Sequence, residues 1–290
     1  MADSVEMQDI RGLDIDKMVK GFALTEYKFK SLCTVSKTSG DHIRWYQETA
    51  ADLTATAPSY VANISPLSSF PTLEVTWTRN TSYVKKYAAE GFISMEDIKS
   101  ADVDVLARTL LRLTRAVVKQ VDTDIWNVLT ENQTATNING VTITAGDEWD
   151  SATIANRDPI QDILNAKKAI AEQNYDSDKG GVLCLNPKDY ANLLGNANVR
   201  NAGQFYTSSP TSDGNLQRIC GLDIMVSPNV TPDYAAVIIR GAAGTWKSFT
   251  DTTSRVIEEP GIGNKIRVWE LGITLLTDPK AVCLISNTAA

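Results

Sequence analysis

Residues able to do chemistry are few in this chain, and their spacing does not suit it. There is one histidine, His42, beside Arg44 and Trp45. Serine, cysteine and metal mechanisms ordinarily use a base that titrates near neutrality, so a lone histidine in this setting reads as a surface or packing residue. Cys33, Cys184, Cys220 and Cys283 lie far apart with no C-x-x-C pair, which matches neither a zinc site nor a secreted disulfide framework. Cys184 in Val-Leu-Cys-Leu and Cys283 in Val-Cys-Leu-Ile read as small buried thiols in strands, and a reducing compartment suits them. The stretch Gly241-Ala-Ala-Gly-Thr-Trp-Lys-Ser248 approaches a phosphate-binding loop. Trp246, however, stands where a glycine must precede the lysine, and no helix pattern follows. Gly261-Ile-Gly263 lacks the third glycine, preceding strand and following helix of a dinucleotide fingerprint and reads as a loop. Glu258 and Glu259 are adjacent acids of a kind common on solvated turns. The expectation is no enzyme, with no catalytic residue, no metal and no cofactor.

The elements that would have to position such residues are those of a sizeable core. The chain has 290 residues, 43% of them hydrophobic and 22% charged, with a formal net charge of -7. That length allows one large core or two smaller ones. The negative balance excludes a nucleic-acid binder held by gross charge, so any contact with a polyanion must be local. No export signal and no membrane span are read.

The strongest pattern runs from Ala101 to Thr130. Val103, Leu106, Leu110, Leu113, Val117, Val121, Ile125 and Val128 step by three or four, placing them on one side of a helix. Ser100 or Asp102 can serve as its N-cap. Arg108, Arg112, Arg115 and Lys119 share that spacing nearly opposite the apolar stripe. Such a stripe is either a solvated face or a surface that meets acidic neighbours or nucleic acid.

Ahead of this helix, the first forty residues lack core periodicity and read as an extended arm with one helical turn at most. From Glu48 to Arg79 the composition turns to Thr, Ser, Ala and Pro and closes on an alternating strand, Leu73 to Arg79, whose partner is sought in Tyr46 to Ala57. A two-stranded hairpin with a long tip needs another surface for its stability, and a neighbouring subunit would supply it. Beyond the helix, Asn139-Gly140 predicts a tight hairpin. Asp158-Pro159 opens a helix running to about Asn174, Gly181 to Leu185 is a buried strand, and Asn186-Pro187-Lys188-Asp189 starts a helix that stops at Gly195. Residues 195–215 read as a mobile surface loop. Strands follow at Ile219 to Val226, with Gly221 at a bend, then at Ala235 to Arg240, Lys265 to Leu276 and Ala281 to Ser286.

In order, these elements resemble the major capsid protein of tailed double-stranded DNA viruses, the Hong Kong 97 type fold. The supporting segments are Leu185-Asn-Pro-Lys-Asp-Tyr190 with Leu193, Gly221-Leu-Asp-Ile-Met-Val-Ser-Pro-Asn-Val230, Phe249-Thr-Asp251 and Asp278-Pro-Lys-Ala-Val-Cys-Leu-Ile285. The resemblance implies an α+β fold with an N-terminal arm (1–48) and an extended β-hairpin loop (49–80). It further implies a peripheral domain with a long spine helix (81–130 and 249–290) and an axial domain (131–248). The implied function is structural: self-assembly into the icosahedral head shell of a tailed virus that encloses double-stranded DNA.

Within that frame Pro58, Tyr60, Leu67, Phe70 and Trp77 would lie on an adjacent subunit. Arg108, Arg112, Arg115 and Lys119 would face the interior, and Asn201, Gln204 and Tyr206 would gather at an axis. The implied partners are further copies in hexamers and pentamers, a scaffold, portal and decoration proteins, and packaged DNA held by weak non-specific contact. No membrane is implied, and the virion would assemble in the host cytoplasm. Some members crosslink a loop lysine to a neighbour's asparagine, but residues 49–80 contain no lysine, so no covalent mesh is expected. Other members carry a charged helical leader as a built-in scaffold. None is read here, which implies a separate scaffolding protein or none. Two alternatives stay open, an encapsulin-like nanocompartment shell and a soluble α/β enzyme.

Overall fold

The computed structural model describes residues 19, 27–47, 64–70, 78–100, 105–202 and 216–289. Chain order runs β1 (Thr34–Lys37), β2 (His42–Gln47), β3 (Thr78–Tyr83), β4 (Lys85–Ser94), α1 (Met95–Ser100), α2 (Val105–Leu129), β5 (Asn139–Thr142), α3 (Pro159–Ala171), β6 (Gly181–Leu185), α4 (Pro187–Gly195), α5 (Ala197–Ala202), β7 (Arg218–Ile219), β8 (Leu222–Val226), β9 (Tyr234–Ile239), β10 (Gly244–Glu259), β11 (Gly263–Leu276) and β12 (Val282–Ser286). Packing divides the chain into two compact units. One comprises Met1–Ile43, Ser82–Val128 and Thr245–Leu275, the other Arg44–Thr81, Leu129–Gly244 and Leu276–Ala290.

In the first unit four strands lie in the order β1-β10-β11-β4. β11 pairs antiparallel with β4, setting Ile266 opposite Gly91, Val268 opposite Ala89 and Glu270 opposite Tyr87. Helix α2 has 25 residues, a length of about 37 Å at 1.5 Å per residue. Of its expected apolar stripe, Leu110, Val117, Val121 and Ile125 are buried, and Leu106, Leu113 and Val128 are half-buried. Val103 and both candidate caps, through their side chains, lie outside the described residues. Toward the C-terminal end the buried set widens to Val118, Asp122, Trp126 and Leu129.

That widening reflects a segment read from sequence as an arm without a core. Phe29 and Leu32, in the 3₁₀ turn Phe29–Leu32, are buried, with the Phe29 ring 5.4 Å from Trp126. β1 then pairs in parallel with Thr245–Ser248 of β10. Residues 27–37 therefore belong to the first unit. Two apolar residues in one 3₁₀ turn leave no periodicity to read, and their partners lie about a hundred positions away in sequence.

β2 and β3 form a separate two-stranded sheet, tied by Asn80 Nδ2 donating to Gln47 Oε1 at 2.9 Å. The stem of the hairpin is thus 42–47 with 78–83, several residues nearer its base than the pairing sought in 46–57 with 73–79.

The second unit is built on a six-stranded mixed sheet, β5-β12-β9-β6-β8-β7. All five residues of β6 are buried. Both helix starts are capped as their sequences predict: the Asp158 side chain caps α3 by accepting from Gln161 N at 3.2 Å, with Pro159 in the first turn. The Asn186 side chain caps α4 by accepting from Lys188 N at 3.1 Å. Three expectations are corrected. Asn139-Gly140 makes no hairpin but begins β5, an edge strand parallel to β12. Neither residue has the positive φ that a type I′ turn requires. The tight turn lies instead at Cys220 (φ 50°) and Gly221 (φ 85°), where Arg218 pairs with Asp223 and Ile219 with Leu222. Residues 195–215 include helix α5 before they leave the described residues. Val282–Ser286, expected within the peripheral domain (81–130 and 249–290), sits between β5 and β9 in this sheet. Its residues are nearly all buried, as a central strand's must be.

The Phe29–Trp126 contact generates the first prediction. Replacing Phe29 by Ala removes a fully buried ring and leaves a cavity, a loss of about 3–5 kcal/mol. Chemical denaturation of unassembled subunits, followed by Trp fluorescence, reads it directly.

Candidate assembly surfaces

The structure leaves the would-be chemical residues in structural roles. His42 is exposed on β2, its Nδ1 2.7 Å from Asp41 Oδ1. Residues 244–248 of the near phosphate loop open a strand, with the Trp246 indole buried. The glycines of Gly261-Ile-Gly263 close the β10–β11 turn. At Gly263 a Cβ would lie 2.1 Å from Ile93 O, so a backbone contact needs the bare residue there. Glu259 pairs with Lys265. Among the described residues no group of three or more His, Cys, Asp or Glu side chains could hold a metal ion, and no helix is long and apolar enough to cross a membrane. Burial pushes the Cys33 and Cys283 thiols up to about 12 and raises Cys184 as well.

Two surfaces stand out instead. Arg108, Arg112, Arg115 and Lys119 are all exposed on α2. Over the eleven steps from first to last they cover about 16 Å. No acidic residue occurs between Val105 and Val121. Asp122 is buried, and Asp124 accepts from Lys85 Nζ at 2.6 Å and from Tyr87 Oη at 2.8 Å. Between Val105 and Val121, then, the helix itself supplies no acid to these cations.

The second surface is the described part of the hairpin excursion, 64–70. Ser68 N and Ser68 Oγ both donate to Ser65 O, at 3.1 and 2.7 Å, closing a turn that holds Leu67 at φ 70°. Leu67 and Phe70 project into solvent at 107% and 86% exposure. Residues 53–73 carry no charged side chain. Pro58, Tyr60 and Trp77 lie outside the described residues. Of the expected axial residues, Asn201 belongs to α5 with its side chain undescribed, and Gln204 and Tyr206 lie outside. Sequence reasoning did not single out Asp122, Glu270 or Tyr27, which form a buried cluster in the first unit. Asp122 occupies a helix position where a polar residue ordinarily faces water, so no local signal marks it.

Residues 79–285, well over half of the chain, match the phage capsid protein family, and the chain belongs to that family. The fold is shared with solved phage and virus-like-particle structures. The capsid of cyanophage P-SCSP1u is 14% identical, with a TM-score of 0.68 over 90% of this chain and 88% of that one. Mycobacterium phage Che8 gives 16%, 0.63, 91% and 92% in the same terms. A virus-like particle from Pyrococcus furiosus gives 14%, 0.63, 95% and 99%. No curated protein matches the sequence. The fold is accordingly the α+β fold of Hong Kong 97 type, and the chain is a structural shell protein of a tailed phage.

Cysteine accessibility supplies a test of this structural assignment of the thiols. In the native chain Cys220, half-buried on its turn, should react first with iodoacetamide near pH 8. Cys33, Cys184 and Cys283, all buried, should react only after denaturation. Peptide mass spectrometry after timed alkylation gives the order.

Proposed function

We propose that this chain self-assembles, as pentamers and hexamers, into the icosahedral head shell that encloses a tailed phage's double-stranded DNA, with assembly in the host cytoplasm. The observation that carries this reading is the family match, which runs through most of both compact units. The first unit corresponds to the peripheral domain, with α2 as its spine. The second is the axial domain, and it includes β12. The excursion carrying Leu67 and Phe70 lies over an adjacent copy, which gives its apolar tip the partner it lacks in the single chain. The stripe Arg108, Arg112, Arg115 and Lys119 faces the interior and contacts phosphates without reading bases, as local charge on an acidic protein permits. Scaffold, portal and decoration proteins are the remaining partners of this reading.

Negative-stain electron microscopy of the purified chain after a sizing column should show closed shells with nuclease-protected contents. A persistent monomer or dimer at all salt concentrations would overturn the assignment, and shells filled with protein alone would overturn its DNA part. Leu67→Asp with Phe70→Asp should give folded subunits that no longer close shells. Reversing all four stripe charges should leave shells closed while lowering the DNA they retain; unchanged DNA content would make the stripe a solvated face. Denatured shells should run as single chains on a gel, because residues 49–80 offer no lysine for a crosslink.

A further inference from the structure

The turn Phe29–Leu32 has no side-chain cap of its own. Its exposed backbone amides are taken instead by a carboxylate from α2. Asp122 Oδ2 accepts from Lys28 N at 2.9 Å, Oδ1 accepts from Lys30 N at 3.4 Å, and Phe29 N also donates to this carboxylate. Asp122 is 1% exposed. A second carboxylate is buried in the same unit: Glu270 of β11 is 0% exposed. Its Oε1 accepts from Lys30 Nζ at 2.5 Å, and its Oε2 accepts from Thr252 Oγ1 of β10 at 3.1 Å and from Tyr27 Oη. Lys30 Nζ lies 4.3 Å over the Tyr27 ring and 5.2 Å from the Trp246 ring, so the ammonium is walled by aromatics.

The charges around this cluster do not balance. From the strap, residues 27–33, come two ammonium groups, Lys30 within the cluster and Lys28 on the exposed side, with one phenol (Tyr27) and one thiol (Cys33). From β10 and β11 come a neutral hydroxyl and the Glu270 carboxylate. From β4 comes the Tyr87 phenol, bound to Asp124, which Lys85 already neutralises. From α2 comes Asp122. Among the described residues, two buried carboxylates thus have one ammonium, Lys30, inside the cluster. A surplus buried negative charge is costly, and the cheapest remedy is a proton.

We propose that docking of the strap residues 27–33 onto α2 and β11 takes up a proton at Asp122, so that acid tightens this attachment of the N-terminal segment and a rise in pH loosens it.

The sign follows from linkage. Burial pushes the Asp122 carboxyl up from 3.8 to about 6, against the opposing pull of the three amides and Lys30. A carboxyl whose pKa is higher docked than free binds more protons docked. Docking is therefore strongest below the free value, weakens as pH rises through the docked value, and is constant above it. This goes beyond the shell-forming reading and does not depend on it.

Hydrogen exchange of the full chain, corrected for the pH dependence of chemical exchange and with β6 as an internal reference, tests the inference. Amides of residues 28–33 should lose protection by about tenfold between pH 5 and pH 8, as a docked value near 6 requires. Asp122→Asn should flatten that dependence whatever its absolute protection. Lys30→Met, which removes the one ammonium inside the cluster, should move the midpoint to higher pH. A wild-type protection ratio near one, or an unaltered pH dependence in Asp122→Asn, would overturn the proposal.

Discussion

At Gly91 of β4 an added Cβ would lie 3.0 Å from Leu113 Cδ1 and 3.2 Å from Thr109 Cγ2. The missing side chain is what lets α2 settle this close to the sheet, and the first unit is organised by that contact. With the helix seated there, Leu110, Val117, Val121 and Ile125 turn inward, and the four cations, nearly opposite on a 3.6-residue repeat, turn outward. The same seating brings Asp124 to Tyr87 and Lys85 of β4, and Asp122 to the strap's amides. A second close approach supports it from within the sheet: a Cβ on Gly272 would fall 2.3 Å from the Trp246 ring. Gly91 thus admits the helix to the sheet, and Gly272 admits the Trp246 ring beside its own strand. The buried aromatics fill the space that remains.

What could be read in advance divides along a physical line. Helices announce themselves locally, through caps and a repeat of three to four, so α3 and α4 were legible to the residue at their starts. α2 was legible through its stripe. Strand partners are a different matter, because pairing joins residues far apart in sequence. Asn139-Gly140 carries the local preference for a type I′ turn, yet β12 offers a ladder edge, and the backbone of residues 139–142 takes it. β12 itself sits between two partners that precede it by many residues, so nothing near 282–286 reveals which sheet it joins. Residues 27–33 are the sharpest case. Phe29 and Leu32 make one turn, and the groups that meet this segment, Trp126, Asp122 and Glu270 among them, come from distant elements. Of the candidate surfaces, the cationic stripe and the apolar tip were legible because exposure follows from pattern, whereas Asp122 and Glu270 became visible only once distant elements met around them.

Charge and apolarity on this chain are distributed in a way that a solitary globule would not favour. The molecule is acidic overall, at -7, yet it presents four cations in line on a helix face that has no acid from Val105 to Val121. It also carries residues 53–73 without a charge in a chain where charged residues make up 22%. For an isolated protein the first arrangement gathers like charge on one helix face, and the second, with Leu67 and Phe70 in solvent, invites aggregation. Both become favourable when each surface has a partner. An uncharged strip has no ions to desolvate when it is covered by protein, so its apolar tip keeps most of the burial free energy it gains. A cationic line confined to one face attracts a polyanion locally while the net negative charge keeps the rest of the molecule from binding it indiscriminately. In the shell proposed above, closed symmetry would limit what the apolar tip can do: each copy would be covered by one neighbour, and growth would end when the ring of contacts closes.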